Sequence, residues 1–404
     1  MQNVFIDKPY SFVPPIRSEF LAKCLGWSGL FRRQLAKHHG VVDWECRNLE
    51  YLRESLQAGH GTMLTPNHPR TADPLAMSFV ARETPCLFYI MASWHLFHQG
   101  SLKRWILRTA GAFSVHREGL DRQAVDEAVN VLVEAKRPLL IFPEGTTSRT
   151  NDRLMALMEG PAFIARTAAK RRQELGKVVV HPVAIRYVYQ GDVEQACEKV
   201  LTAIEHKLTW RPNSHLPLIR RIITVGNALL TLKEMQYGLS QTEGKTLRQR
   251  QTQLVNHLLH PLEQELLGGP RNDGIAIRIK NLRMKIFPQM IQDGLPKSER
   301  ERFWQMIEDT YLAQQIDCYP ENYLTEHPSV DRILETVEKF EEDLTDQARV
   351  HGQLKVIIDI DPALEVAAKR EKSPDGDPLI NTIQSRLEGK LSGLQQESRM
   401  YVCQ

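Results

Sequence analysis

The chain has 404 residues, which is long enough for two domains. Its composition, 42% hydrophobic and 25% charged residues, is ordinary for a globular protein. A formal net charge of +3 gives no overall field that would favour nucleic acid as a partner. Six cysteines are scattered along the chain: Cys24, Cys46, Cys86, Cys197, Cys318 and Cys403. Their spacing contains no CxxC and no short Cys/His pairing, so we expect neither a metal site nor a disulfide framework, and a reducing cytoplasm fits best.

Membrane-crossing and secretory segments are not expected. The opening sequence MQNVFIDKPYSFVPPIRSEF lacks a basic start followed by an uninterrupted apolar stretch. A helix that crosses a bilayer needs about 20 predominantly apolar residues, whereas the richest runs, Leu87–Phe97 and Pro138–Pro143, are short or interrupted. Any association with a membrane is therefore expected to be peripheral.

From about residue 46 to residue 235, short apolar runs alternate with longer segments of helical spacing, which predicts an α/β domain. The predicted strands are Thr62–Thr65, Cys86–Met91, Phe113–Val115, Leu139–Phe142, Val178–Ile185 and Ile222–Val225. The predicted helices are Pro74–Arg82, Leu102–Thr109, Asp121–Ala135, Gly160–Lys170 and Asp192–Leu208. From 236 to 404 the chain is polar and mostly helical in pattern, of unknown role, with one late strand at Leu354–Asp361.

The segment TPNHPRTADP places His68 and Asp73 directly after a predicted strand, at the start of a predicted helix. A histidine whose second ring nitrogen is held by a carboxylate keeps the tautomer in which the other nitrogen accepts a proton, as a general base requires. Short motifs of this kind also recur without function, and His68 and Asp73 would then simply cap a turn and a helix.

The segment LLIFPEGTTSR runs from an apolar strand into a turn that is rich in hydrogen-bond donors. Backbone N–H groups after Gly145, the hydroxyls of Thr146 and Ser148, and the charge of Arg149 are suited to a phosphate or a carbonyl oxygen. The alternative is an ordinary β-turn with solvated polar residues.

In these segments the chain resembles the glycerolipid acyltransferases, which include the 1-acyl-glycerol-3-phosphate acyltransferases. The NHxxxxD block of that family matches Asn67–Asp73, and its G-x-x-x-x-x-R block matches Gly111–Arg117. The FPEGTxS block matches Phe142–Ser148, and a hydrophobic strand with a proline matches Val178–Ile185. The blocks stand in the family's order, and the resemblance covers roughly residues 46 to 230.

The resemblance implies a mixed sheet flanked by helices, with residues 46–235 as an acyltransferase domain of phospholipid biosynthesis. It also implies that His68 deprotonates an acceptor hydroxyl, that Asp73 orients His68, and that the oxygen attacks an acyl-CoA or acyl carrier protein thioester without a covalent acyl-enzyme. Arg117 is implied to hold the acceptor's phosphate, and the turn at Glu144, Gly145 and Thr146 to shape the acceptor site. No cofactor and no metal ion are implied.

Two features of the sequence weaken the implied phosphate-binding roles. Arg117 could instead pair with Glu118 or Asp121 on the surface, where ion pairs contribute little. The family often has arginine after the threonine of FPEGT, whereas this chain has Thr147, with Arg149 two positions later. A phosphomonoester acceptor is therefore less firmly implied than acyl transfer itself.

The N-terminal segment, residues 1–45, is predicted to contain an amphipathic helix over residues 19–37. On that helix an apolar stripe lies opposite basic residues, with members Phe20, Cys24, Trp27, Phe31 and Leu35. This pattern is typical of a helix at a membrane surface, and it also fits a helix packed on the sheet. A second candidate of mixed apolar and basic character is His95–Gly111.

Two other functional classes stay open. The His/Asp pair is also compatible with a hydrolase that activates water, although no GxSxG elbow or metal-ligand set supports one. The fold is also compatible with a lipid-binding module whose site is not catalytic. The intact His68, Asp73, Glu144 and Gly145 argue against that reading.

Overall fold

The computed structural model describes residues 8–84, 86–119, 121–239, 244–324, 327–370 and 376–402. Its strands are β1 (Val41–Arg47), β2 (Gly61–Pro66), β3 (Tyr89–Ser93), β4 (Ala112–Val115), β5 (Leu139–Leu140), β6 (Val178–Tyr189), β7 (Leu354–Ile360) and β8 (Leu364–Glu365). Its helices are α1 (Glu19–Trp27), α2 (Leu30–His39), α3 (Leu49–Gln57), α4 (Asp73–Glu83), α5 (Ser101–Thr109), α6 (Arg122–Glu134), α7 (Gly160–Arg172), α8 (Val193–Lys207), α9 (Leu218–Gln236), α10 (Leu247–Leu267), α11 (Ile275–Met290), α12 (Lys297–Asp317), α13 (Val330–Thr345) and α14 (Pro378–Leu394). Cys403 and the first seven residues of the predicted N-terminal segment lie outside the described residues.

Within the described residues the strands form one mixed sheet in the order β1-β7-β6-β2-β5-β3-β4, and β8 pairs with β6. Neighbours are parallel except where β7 and β8 pair with β6. The predicted α/β class, with a mixed sheet flanked by helices, is confirmed. Because β2, β3, β4 and β5 are parallel, their carboxyl ends share one edge of the sheet, where α/β proteins bind ligands.

The chain divides into two compact units. The sheet unit comprises residues 10–191 and 350–398, and the helical unit comprises the described residues of 1–9, 192–349 and 399–404. The late strand predicted at Leu354–Asp361 exists as β7, and its pairing with β1 and β6 includes it in the sheet unit. The sequence boundaries at residues 45 and 235 stay a prediction about domains, and spatial contacts group the chain differently.

The core of the sheet unit forms where apolar helix faces cover apolar strands. Asp121 is the N-cap of helix α6, and its side chain accepts the N–H of Ala124 and so satisfies one of the free donors of the first turn. Its buried positions recur at helical spacing, and they are Ala124, Ala128, Val129, Val131 and Leu132. Strand β6 is buried along almost its whole length, as expected for a strand covered on both faces.

Two local predictions need correction. The strand predicted at Ile222–Val225 is part of α9, because Ile222 and Val225 are buried three positions apart on one helix face. The single helix predicted over residues 19–37 is two helices, α1 and α2, since Gly29 adopts a left-handed backbone conformation with φ of 71°.

Buried ion pairs join consecutive helices of the helical unit at a regular interval. Arginine binds glutamate of the preceding helix in three pairs: Arg221 with Glu205, Arg250 with Glu234, and Arg278 with Glu263. The glutamates follow one another every 29 residues, and the arginines after 29 and then 28. Each arginine also binds the residue seven positions before its glutamate: Glu198, Asn227 or Asn256.

The loops beside these ion pairs repeat as well. A backbone N–H five residues after each glutamate donates to the glutamate's carbonyl, from Trp210, Leu239 and Gly268. The glutamate side chain accepts a backbone N–H eight residues on at Asn213 and again at Arg271. Helices α8, α9 and α10 thus end in the same way, and one helix with its loop is the recurring element of this part of the chain.

Candidate functional site

The predicted site residues follow parallel strands at the carboxyl edge of the sheet. His68 follows β2, Arg117 follows β4, and the turn at residues 142–149 follows β5. Strand β6 is parallel to β2 and extends beyond its end, which brings Tyr187 to the same edge. The chain topology therefore gathers side chains that are distant in the sequence.

His68 and Asp73 form a hydrogen-bonded pair. His68 Nδ1 lies 2.6 Å from Asp73 Oδ2, the His68 side chain is 16% exposed, and Asp73 is fully buried. The ring of His68 stacks on Phe142 at a centroid distance of 4.2 Å. Because an ionised Asp73 accepts the Nδ1 proton, the lone pair of neutral His68 lies on Nε2, the ring nitrogen that a general base uses.

The carboxylate of Asp73 is held by two further donors. Its Oδ2 also accepts the backbone N–H of Arg70 at 2.9 Å, and its Oδ1 accepts the hydroxyl of Tyr187 at 2.6 Å. Hydrogen bonds to the charged form compensate the carboxylate for the water that it has lost. The pair is thus part of a network in which both oxygens of Asp73 are bound.

Glu144 binds the backbone of the loop that carries His68. Its Oε1 accepts the backbone N–H of His68 at 2.6 Å and its Oε2 accepts that of Met155 at 2.8 Å. Glu144 is 1% exposed, and burial raises the pKa of its carboxyl to about 8, against the effect of the two N–H donors. Both oxygens face the protein backbone, so this side chain fixes the loops on either side of the site.

The turn after β5 is built around Gly145, whose φ of 69° suits a residue without a Cβ. Arg117 Nη1 donates to the carbonyl of Gly145 at 2.8 Å, and Arg117 Nε is buried without a hydrogen bond to any described residue. The backbone N–H of Ser148 donates to the carbonyl of His68 at 2.8 Å. Two predicted binding residues, Arg117 and Gly145, are therefore in contact, and the turn is tied to the His68 loop.

Thr146 and Arg149 lie on this same turn and are half-buried. Arg149 has a φ of 57°, a left-handed conformation that an arginine adopts only where its surroundings hold it. The structure thus brings six of the predicted residues into the network of His68 or onto the turn tied to it, and these are Asp73, Arg117, Glu144, Gly145, Thr146 and Arg149. Their roles in binding stay predictions.

The backbone geometry explains why glycine occupies position 111, the first residue of the G-x-x-x-x-x-R block. Its φ is 95°, and a Cβ at this position would lie 2.3 Å from the carbonyl oxygen of Phe88. Glycine allows β4 to begin this close to the segment that precedes β3. Arg117 follows β4 at its other end, so the block spans the strand.

Two asparagines complete the site, and neither was predicted to bind substrate or to act in catalysis. Asn67 binds the backbone of Ile185 with both amide atoms, at 2.6 and 3.0 Å, and Asn151 binds the backbone of Tyr187 at 2.9 and 2.8 Å. Beyond the end of β2, both amides make the backbone hydrogen bonds that a neighbouring strand would otherwise make with β6. Asn67 belongs to the NHxxxxD block, which is the one sequence signal for it, and no local pattern indicates Asn151 or Tyr187.

The two segments predicted to face a membrane pack together, since α1 contacts α5. The exposed surface of these helices, here called the apolar patch, carries Phe20, Trp27, Leu102 and Trp105, which are 74%, 84%, 69% and 47% exposed. Lys23, Lys103 and Arg104 are exposed on the same helices. Of the predicted stripe, Leu35 is buried and Phe31 half-buried, so only part of it is available to a surface.

Across the described ranges, no helix combines the length and apolar character needed to cross a bilayer. The described residues likewise hold no cluster of three metal-ligating side chains. Cys24, Cys46, Cys86, Cys197 and Cys318 are free thiols.

Two comparisons with known proteins find acyltransferases. Residues 43–186 match the family model described as Acyltransferase, and this range contains all the predicted site residues. A 1-acyl-sn-glycerol-3-phosphate acyltransferase of Streptococcus pneumoniae (strain ATCC BAA-255 / R6) is 33% identical over 109 residues. That alignment covers 27% of this chain and 38% of the relative, well under two thirds of the relative's length.

Proposed function

We propose, from the match of residues 43–186 to the acyltransferase family model, that the chain transfers a fatty acyl group from a thioester to a glycerolipid-type hydroxyl. The donor is acyl-CoA or an acyl carrier protein, and the acceptor is a glycerol phosphate or a lysolipid. The observation that carries the proposal is the 2.6 Å contact between His68 Nδ1 and buried Asp73, in a network at the carboxyl edge of the sheet.

In the proposed reaction, His68 Nε2 takes the proton of the acceptor hydroxyl while the oxygen attacks the thioester carbonyl. Asp73 holds the imidazole in the required tautomer and stabilises its charged form. When the carbonyl re-forms, the carbon–sulfur bond breaks and the leaving thiolate takes the proton from His68. The acyl group passes directly between substrates, so no covalent acyl-enzyme forms.

We propose that the acceptor binds at the turn after β5. Arg117 reaches this turn through its bond to Gly145, and its buried Nε, which has no hydrogen bond to a described residue, can donate to a bound acceptor. Thr146 and Arg149 supply additional donors, and Glu144 holds the turn's loops in place. Guanidinium groups bind phosphate through paired hydrogen bonds, which a hydroxyl cannot replace.

Arg117→Ala is expected to raise the Michaelis constant for a phosphorylated acceptor by roughly 10- to 150-fold, the effect of losing one charge-assisted hydrogen bond. The constant for an uncharged acceptor should change far less. Arg122→Ala is the matched control, because Arg122 is an exposed arginine at the start of α6. Thr147→Arg, which restores the common family residue, should shift preference toward phosphomonoesters. Equal weakening of charged and uncharged acceptors by Arg117→Ala would contradict a phosphate-binding role.

We further propose that the apolar patch of α1 and α5 docks peripherally on an anionic membrane surface, from the cytoplasmic side. Exposed Phe20, Trp27 and Leu102 beside Lys23 and Lys103 provide the apolar anchors and the basic charges that interfacial helices use. A lipid acceptor would thereby reach the enzyme without leaving the bilayer.

Trp27→Ser combined with Leu102→Ser is expected to reduce co-sedimentation with anionic vesicles at least tenfold, since burial of each such side chain contributes about 1.5–3 kcal/mol. Activity on a short-chain acceptor in free solution should not change. Phe163→Ser is the control, because Phe163 is 61% exposed but lies on α7, which packs on α6 and α14. Wild-type binding that resists salt and alkaline washing would rule out peripheral docking.

Thioester consumption against a panel of glycerol-phosphate and lysolipid acceptors, with mass analysis of products, tests the proposed function. An acylated acceptor is the expected product. A hydrolase would instead release free fatty acid whether or not an acceptor is present. A non-catalytic lipid-binding module would consume no thioester, and its lipid binding would survive His68→Ala unchanged.

A further inference from the structure

The carboxylate of Asp73 has a partner that belongs to none of the sequence blocks. Tyr187 donates its hydroxyl to Asp73 Oδ1 at 2.6 Å, on the side of the carboxylate away from the oxygen that binds His68. Tyr187 is 1% exposed and Asp73 is fully buried, so water does not compete for this bond. A hydrogen bond between two buried groups fixes the torsion of the carboxylate as well as stabilising its charge.

The position of Tyr187 is set by its backbone on both edges of β6. On one edge it pairs with Val356 of antiparallel β7. On the other edge β2 has ended, and the amide of Asn151 makes the two hydrogen bonds that a neighbouring strand would have made, at 2.9 and 2.8 Å. A side chain on so constrained a backbone places its hydroxyl with little freedom.

The protonation state of Tyr187 also suits a hydrogen-bond donor. Burial, and then the charge of Asp73 and the hydrogen bond to it, raise the pKa of Tyr187 well above its usual value, so the phenol keeps its proton. The guanidinium of Arg70 lies 5.5 Å from the centre of the Tyr187 ring. Glu144 and, on α2, His39 also interact electrostatically with Asp73, and burial lowers the pKa of His39.

We propose that Tyr187 is a positioning residue for the His68–Asp73 pair: by occupying Oδ1 it directs Oδ2 at His68 and withdraws charge from the carboxylate. The inference rests on the proposed function. Without the hydroxyl, Asp73 keeps more negative charge on Oδ2 and holds the imidazolium more tightly. Less of the free base is then present at neutral pH, and the ring is less well aligned.

Tyr187→Phe removes this single oxygen and keeps the packing of the ring. Its matched control is Tyr189→Phe, two residues along on the same face of β6, which loses a buried hydroxyl bonded to the carbonyl of His351. Two measurements compare these variants: the titration midpoint of the His68 ring, followed by NMR of its carbon-bound protons, and the pH profile of kcat/KM. The NMR measurement needs no turnover.

In Tyr187→Phe we expect the His68 midpoint and the acid limb of the profile to move to higher pH by about half a unit or more. The value of kcat/KM at neutral pH should fall about tenfold. In Tyr189→Phe both should stay at the wild-type position. A His68 midpoint in Tyr187→Phe that equals the wild-type value, lies below it, or matches a shift in Tyr189→Phe overturns the proposal.

The role of Tyr187 and the proposed function of the chain can be rejected separately. If His68→Ala keeps wild-type turnover, the proposed base is wrong, and the NMR titration still decides whether Tyr187 acts on His68 through Asp73. If His68→Ala is inactive while Tyr187→Phe behaves as Tyr189→Phe, the proposed function stands and the role of Tyr187 is rejected.

Discussion

Replacing His68 with alanine is expected to lower turnover of the proposed acyl transfer by about 10²- to 10⁴-fold, the usual contribution of a positioned general base. Asp73→Asn should also lower turnover, because a neutral amide neither fixes the required tautomer nor stabilises the imidazolium. Initial rates of thioester consumption at saturating acceptor measure both effects.

His38→Ala is the matched control for this prediction, since His38 is an exposed histidine on α2. It should retain wild-type turnover. Folding of each variant is checked by circular dichroism, because Asp73 is fully buried and its loss also affects the network. Folded His68 and Asp73 variants that both keep near wild-type turnover would remove the pair from the mechanism.

Replacing Arg250 with methionine is expected to destabilise the helical unit by about 3–5 kcal/mol, the usual effect of leaving one partner of a buried ion pair uncompensated. Arg250 binds both oxygens of Glu234, at 3.0 and 2.6 Å, and also Asn227 and Thr231. Glu234 is 2% exposed, so its charge would be left without solvent. Protection of the slowest-exchanging amides of α9 and α10 should fall roughly 100- to 4,000-fold.

Arg248→Met is the control, because Arg248 is exposed two residues earlier on α10. It should change amide protection little. The double variant Arg250→Met, Glu234→Met should recover much of the loss, since apolar residues of similar volume often replace a buried ion pair without cost. Equal protection in Arg250→Met and Arg248→Met would show that the ion pair does not stabilise these helices.

The sequence was most informative where chemistry is carried by neighbouring residues. His68 and Asp73 belong to one short segment, and the strand before them and the helix after them were both predicted, so their contact was foreseeable. Tyr187 is distant in the sequence and sits in a buried apolar strand, where a tyrosine looks like an ordinary core residue. Only the parallel pairing of β2 with β6 brings it to Asp73.

The fold shows the same distinction between local and distant information. The apolar run at 354–361 indicated a strand, but nothing in it indicated insertion between β1 and β6. The β-branched run Ile-Ile-Thr-Val at residues 222–225 looked like a strand, although its buried members lie at helical spacing. Strand order and the periodicity of short runs both depend on packing partners that a local pattern does not contain.

The 29-residue recurrence of the helical unit was missed for a related reason. It rests on a few polar positions, Glu205, Glu234 and Glu263 with their arginine partners, while the intervening residues differ. Polar residues in helices are usually taken as solvated, and only the structure shows that these are buried and paired. A search for recurring Glu and Arg at fixed spacing would have found the pattern.

The rate of thiol release from an acyl thioester, measured with and without a glycerol-phosphate or lysolipid acceptor, tests the central claim of acyl transfer most directly. If His68 is the base for acyl transfer, release depends on the acceptor, equals the formation of acylated product, and disappears in His68→Ala. Release at the same rate without acceptor, with free fatty acid as the product, would contradict it.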